Sequence, residues 1–78
     1  MKSANLQDVF LNSVRRDHTP VTVYLLSGYQ LRGTVRGFDS FVVVVDCDGK
    51  QDMVYKHAIS TIIPARSVDF SKAEDTDE

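Results

Sequence analysis

Tryptophan is absent from this 78-residue chain, cysteine occurs once and proline only twice. The lone Cys47 has no partner for an internal disulfide, which sets aside disulfide-stapled secreted scaffolds and fits a reducing compartment. Long hydrophobic runs are missing as well. The longest, Phe41–Val45, falls far short of the ~20 apolar residues of a membrane helix, so no membrane partner is expected. The N-terminus lacks the basic-then-apolar order of a secretory signal, and a cytoplasmic location follows as the expectation. Two histidines and one cysteine show no metal-ligand spacing, so neither metal nor cofactor is expected. Asp46 and Asp48 flank Cys47 and would raise its pKa, which opposes a nucleophilic role. Lys56-His57 fits no hydrolytic constellation either, and the chain does not read as an enzyme.

What is present is enough for one small domain. A chain this short buries a modest fraction of its surface, so self-association is an expected source of stability. The net charge of −2 hides an asymmetry, since residues 1–68 carry eight Lys or Arg against six acids and residues 69–78 one Lys against five. A mildly basic body is thus joined to an acidic tail of low hydrophobicity, Asp69, Glu74, Asp75, Asp77 and Glu78, with the character of a disordered segment.

Residues 5–17 read as an amphipathic helix. Asn5 suits its cap, Asp8 its first turn, and Leu6, Val9, Phe10 and Val14 recur at helical spacing. His18-Thr19-Pro20 is expected to stop it, because the residue before a proline is pushed out of the α region. After Pro20 the period shortens. Val21–Leu26, Tyr29–Phe38, Phe41–Asp46, a stretch near Gln51–Tyr55 and Thr61–Ile63 read as strands. Ser27-Gly28 and Asp48-Gly49 supply turns, and His57–Ser60 a short connection. Gly33 and Gly37 inside the second strand mark bends or close backbone approach. The unbroken apolar run of the third strand predicts burial on both faces. One helix and short bent strands indicate a mainly β, closed or nearly closed small barrel. The expected layout is a flexible 1–4, a domain over 5–66 and a tail over 67–78.

Three segments carry a family resemblance. Asn5-Leu6-Gln7-Asp8 with Phe10-Leu11-Asn12 and Arg15-Arg16 resembles the N-terminal helix of the Hfq family. Val21–Asp39, with Tyr24-Leu25, Gly28, Leu31, Gly33 and Phe38-Asp39, is similar to the first Sm motif. Val54-Tyr55-Lys56-His57-Ala58-Ile59-Ser60-Thr61 resembles the second in the Tyr-Lys-His form of bacterial Hfq. The match covers about residues 5–66, and the Tyr-Lys-His-Ala-Ile-Ser run is its most specific part. It implies an N-terminal helix on a five-stranded, strongly bent antiparallel Sm-like (SH3-like) barrel, assembled as a homohexameric ring through the last two strands. The implied function is that of an RNA chaperone. It binds U-rich and A-rich single strands on two faces and promotes pairing of small regulatory RNAs with mRNAs, with RNA-processing proteins as further partners.

The resemblance assigns residues to three surfaces. On the proximal face, Gln7, Phe41, Lys56 and His57 form uridine pockets with Tyr55 nearby. Phe41 stacks a base, Gln7 and Lys56 read its edge, and His57 meets phosphate or ribose; Asp8 beside them restrains nonspecific binding. The plainer reading makes Phe41 core and His57 a loop residue, and the intact Tyr55-Lys56-His57 run weighs against it. On the distal face, Tyr24 stacks a purine, Tyr29 and Leu31 wall the pocket, Gly28 admits backbone, and Thr61 matches in character. The pattern departs from the family at Gln30, Arg32 and Asp52. Asp52 accepts from an exocyclic amine but cannot donate, while Arg32 adds charge for phosphate or stacking. On the rim, Asn12, Arg15 and Arg16 share a helix, with His18 where an arginine is frequent. An arginine patch screens the repulsion between two RNAs. Histidine lacks the permanent charge of arginine, so this rim is expected to be weaker than a fully arginine one.

The alternative is a structural or protein-interaction Sm-like barrel without specific RNA annealing, since fold does not fix function and small barrels bind peptides along exposed edges. Under that reading Gln7, Phe41, Lys56 and His57 have no reason to converge.

Overall fold

The computed structural model describes residues 5–71; the expectations for residues 1–4 and for the acids from Glu74 to Glu78 lie outside them. A helix, α1, spans Leu6–Arg16. The Asn5 side chain accepts from the backbone N–H of Gln7 at 2.9 Å and of Asp8 at 3.4 Å, satisfying two donors that a helix start leaves without partners. Leu11 and Val14 form its buried face. The helix stops upstream of Pro20, and by a different device from the one expected. His18 enters the left-handed region at φ 53°. The N–H of Thr19 then donates to the Val14 carbonyl at 3.0 Å and that of His18 to the Arg15 carbonyl at 3.3 Å. This is a Schellman closure. Glycine usually occupies the left-handed position, where other residues sit at a cost of ~1–2 kcal/mol.

Strands β1 (Val21–Leu25), β2 (Gln30–Phe38), β3 (Val42–Cys47), β4 (Lys50–Tyr55) and β5 (Ile59–Pro64) form a sheet in the order β4-β3-β2-β1-β5. Every pairing is antiparallel. The β3–β4 hairpin turns on Asp48 at φ 55° and Gly49 at φ 81°, the two successive positive values that a type I′ turn requires. A single 3-10 turn, Lys56–Ala58, replaces the longer connection expected there, and β5 already begins at Ile59.

The sheet bends within β2. Its Gln30–Gly33 half pairs with β1 and its Thr34–Phe38 half with β3. Gly33 stands at that corner, where an added Cβ would run into the Asp46 carbonyl oxygen. Only a residue without a side chain permits so close an approach. Farther along, Val35 faces Val45 and Gly37 faces Val44, which leaves Arg36 as the extra residue of a β-bulge.

Leu11, Val14, Val21, Val23, Val35, Val43 and Val45 make the core. The expectation that β3 is buried on both faces is corrected here. Val43 and Val45 lie inside while Val42 and Val44 are only half-buried, because β3 has the core on one side and no second layer on the other. Val68, beyond the expected 5–66 span, also packs on the cluster. The edges remain open among the described residues: β4 and β5 each have a neighbour on one side only. Both carry exposed apolar side chains, Met53 and Tyr55 on β4 and Ile63 on β5.

Candidate functional site

At one end of the sheet α1 meets the Lys56–Ala58 turn. The Lys56 ammonium donates to Gln7 Oε1 at 2.7 Å and lies 5.5 Å from the centre of the Phe38 ring. The two polar groups come from segments 49 residues apart, and the capped start of α1 fixes one of them. They open onto a cleft of about 320 Å³ that Phe10, Ile59 and Thr61 also line. Such a cleft offers a carbonyl acceptor, a cation and apolar walls, the set that binds a polar planar ring.

The apolar pattern puts Phe41 at the head of the third strand, among neighbours that suggest burial. It lies instead before β3 and is 75% exposed. The cause is Asp39, whose carboxylate accepts from the N–H of Phe41 at 2.8 Å and of Val42 at 2.9 Å. This Asx-type turn delivers Phe41 outside the sheet, and the Lys56 N–H ties it to the site by donating to its carbonyl at 2.7 Å. Tyr55 and His57 stack on each other, centroids 5.6 Å apart and planes at 14°. Phe41, Tyr55 and His57 are all exposed and none lines the Gln7–Lys56 cleft of its own chain.

The two backbone donors lower the pKa of Asp39 below its ordinary 3.8, with Lys56 assisting. A depressed folded pKa means that the turn's contribution is present above about pH 4 and is lost as pH falls through the folded value. Thermal melts should therefore show a smaller loss of stability between about pH 5 and about pH 3 in Asp39→Asn than in the parent chain. Equal losses would remove Asp39 from the acid response.

The distal residues divide between the two faces of the sheet. Tyr24 pairs with Gln30 and Thr61, on the face away from the core, and Arg32 lies on that face opposite Thr22. Leu31 pairs with the fully buried Val23 and packs on the core, so within one chain it does not share a wall with Tyr24. Tyr29 is exposed in the β1–β2 turn beside Gly28, whose φ of 97° requires glycine's freedom. Asp52 lies across the sheet on β4, opposite Val45, far along the strand order from Tyr24. Burial first, and then the nearby Asp52 carboxylate, push the Cys47 thiol's pKa up, with Asp46 and Asp48 contributing least.

On the rim, Arg15 donates to Asn12 Oδ1 at 2.9 Å, Arg16 pairs with Asp17 at 3.3 Å, and His18 follows in its left-handed turn. Residue-by-residue reading missed Arg36, which lines a cleft of about 340 Å³ together with Arg15, Arg16 and His18. The glycines at 33 and 37 signalled irregularity in β2 but not which side chain the bulge would turn outward.

A helix on a strongly bent, five-stranded antiparallel sheet left open at both edges defines the Sm-like class of small barrels. Within that class the chain belongs to the Hfq family: the family model for Hfq protein matches residues 6–69. The RNA-binding protein Hfq of Moorella thermoacetica is 69% identical over 66 residues, 85% of this chain and 79% of the relative. That of Clostridium kluyveri is 55% identical over 74 residues, covering 95% and 90%. Among solved structures, a crystal structure of the pleiotropic translational regulator Hfq aligns with a TM-score of 0.74 at 42% identity, covering 76% of this chain and 98% of that one. An Hfq protein from Anabaena sp. aligns at 0.69 with 26% identity, over 77% and 98%. Membership of this family sets the chain apart from enzymes. No helix among the described residues is long and apolar enough to cross a membrane.

Proposed function

We propose that the chain is an RNA chaperone subunit that closes head-to-tail into a homohexameric ring. It binds U-rich RNA on the proximal face and A-rich RNA on the distal face, and promotes pairing of small regulatory RNAs with mRNAs in the cytoplasm. The observation that carries this reading is the Gln7–Lys56 hydrogen bond beside the exposed Phe41. A base-edge reader and a stacking surface are what single-stranded RNA needs from a protein, and the relatives are named as RNA-binding proteins. The ring reading draws on the open β4 and β5. An exposed edge with Met53, Tyr55 and Ile63 around it is a hazard unless paired, and joining β4 of one copy to β5 of the next removes every edge at once. The same joint supplies what one chain lacks. Asp52 and Tyr55 lie on β4 with Phe41 just before the adjoining β3, while Thr61 lies on β5 and Tyr24 beside it on β1, so complete pockets form between subunits. The rim of Asn12, Arg15, Arg16 and His18 holds phosphates of both RNAs.

Solution mass together with titration of short U-rich and A-rich RNAs tests this. A ring that binds both is the expected result. A monomer without RNA affinity would overturn the reading in favour of a protein-interaction barrel.

A further inference from the structure

Arg15 and Arg16 occupy the last turn of α1, where the helix dipole already favours cations, so their placement alone says little about a ligand. Arg36 has no such reason to be there. It comes from β2 and is the extra residue of the bulge between Val35 and Gly37, a device that re-aims a side chain out of the ladder. It turns into the cleft of about 340 Å³ bounded by Arg15, Arg16, His18 and Thr34. Two carboxylates face these cations. Asp17 is held by Arg16 at 3.3 Å, but Asp46 stands 3.9 Å from the Arg36 Nε, beyond hydrogen-bond length. The Arg36 side chain is 58% exposed, so its weak pairing leaves the guanidinium available to a better anion.

We propose that Arg36 is a phosphate-binding residue of the rim. It seats the sugar–phosphate backbone of RNA between the end of α1 and the β2 bulge, and Asp46 weakens it by holding the guanidinium when RNA is absent. The proposal rests on the RNA reading and adds to it a cation from a second element, which partly offsets His18. Spacing the guanidiniums across helix and strand lets the cleft follow successive phosphates rather than meet one.

The test uses the full chain and two probes, a mixed-sequence RNA with a U-rich 3′ end and a short U-rich oligonucleotide that occupies only the proximal pockets. Arg36→Gln should weaken the long RNA about fivefold and lower the magnitude of its log K against log salt slope by about 0.7 for each lost phosphate contact. The short probe should bind unchanged, and Arg36→Lys should keep most of the affinity. Asp46→Asn should tighten the long RNA about twofold in the parent chain but not in Arg36→Gln, because its effect runs through that guanidinium. An unchanged affinity and slope in Arg36→Gln, with both probes bound by the parent, would overturn the proposal and leave the RNA reading standing. Equal losses for both probes would also overturn it. Failure of the parent to bind either probe would overturn the RNA reading itself.

Discussion

Lys56→Ala should cost at least about tenfold in affinity for U-rich RNA and leave A-rich RNA within about twofold, and Tyr24→Ala should do the reverse. A hydrogen bond from a charged donor to a base edge is worth ~1.5–3 kcal/mol, and loss of a base stacked on an aromatic ring ~1–3 kcal/mol. Either lies near one to two decades in affinity, and repetition around a ring enlarges it through avidity. The fold should tolerate both changes. Lys56 bonds to the exposed Gln7 amide and lies over the half-buried Phe38 ring, neither of them in the buried core, and Tyr24 lies on the sheet face away from it. The Gln7–Lys56 bond refines the expectation. If Gln7 acts mainly by holding the ammonium, Gln7→Ala should weaken U-rich RNA in the parent and do little more in Lys56→Ala. Fluorescence titration of both oligomers with all variants decides it. Loss of both RNAs together in either single variant would mean one shared surface, not two.

What could be read from residues alone was local. Asn5 signalled the helix start, Ser27-Gly28 a turn, and Asp48-Gly49 the hairpin, because caps and positive-φ turns are set by a few adjacent side chains. The direct approach of Gln7 to Lys56 spans 49 residues and no periodicity contains it; only the likeness of whole motifs anticipated that the two act together. Facing was less legible. Phe41 shares its apolar run with buried valines, yet the Asp39 turn puts it outside. Leu31 sits one residue from the distal-face Arg32, and period-two alternation turns it onto the core. Arg36 escaped notice because a bulge is a property of the pairing of two strands, and neither strand's composition announces it. The distal set also stayed incomplete for a physical reason. Asp52 and Tyr24 lie near opposite edges of the strand order, and the pocket proposed to form between copies cannot close within one.

Gly33→Ala should be the most damaging single-methyl change in the sheet. The new Cβ would meet the Asp46 carbonyl oxygen, with the carbonyl carbon at 2.9 Å and Cys47 Cα at 3.2 Å. All three are backbone atoms, so no side chain can swing aside and β2 must move off β3. Overpacking of this kind costs ~1–3 kcal/mol, and in a domain of this size each kcal/mol lowers Tm by roughly 4–8 °C. Gly37→Ala is the matched control. It lies in the same strand, its Cβ meets nothing within 4 Å, and its φ is not positive, so it should melt within a few degrees of the parent. Melts must be compared at equal chain concentration, because a ring couples Tm to assembly. A Gly33→Ala protein as stable as Gly37→Ala would mean that the bend does not depend on the close approach. The expected defect should also reach the edges. Gly33 sets the angle at which β2 leaves β1 for β3, and β3 carries β4 with it. Shifting that corner swings the β4 edge relative to β5, so assembly at low concentration should fail before the isolated fold does.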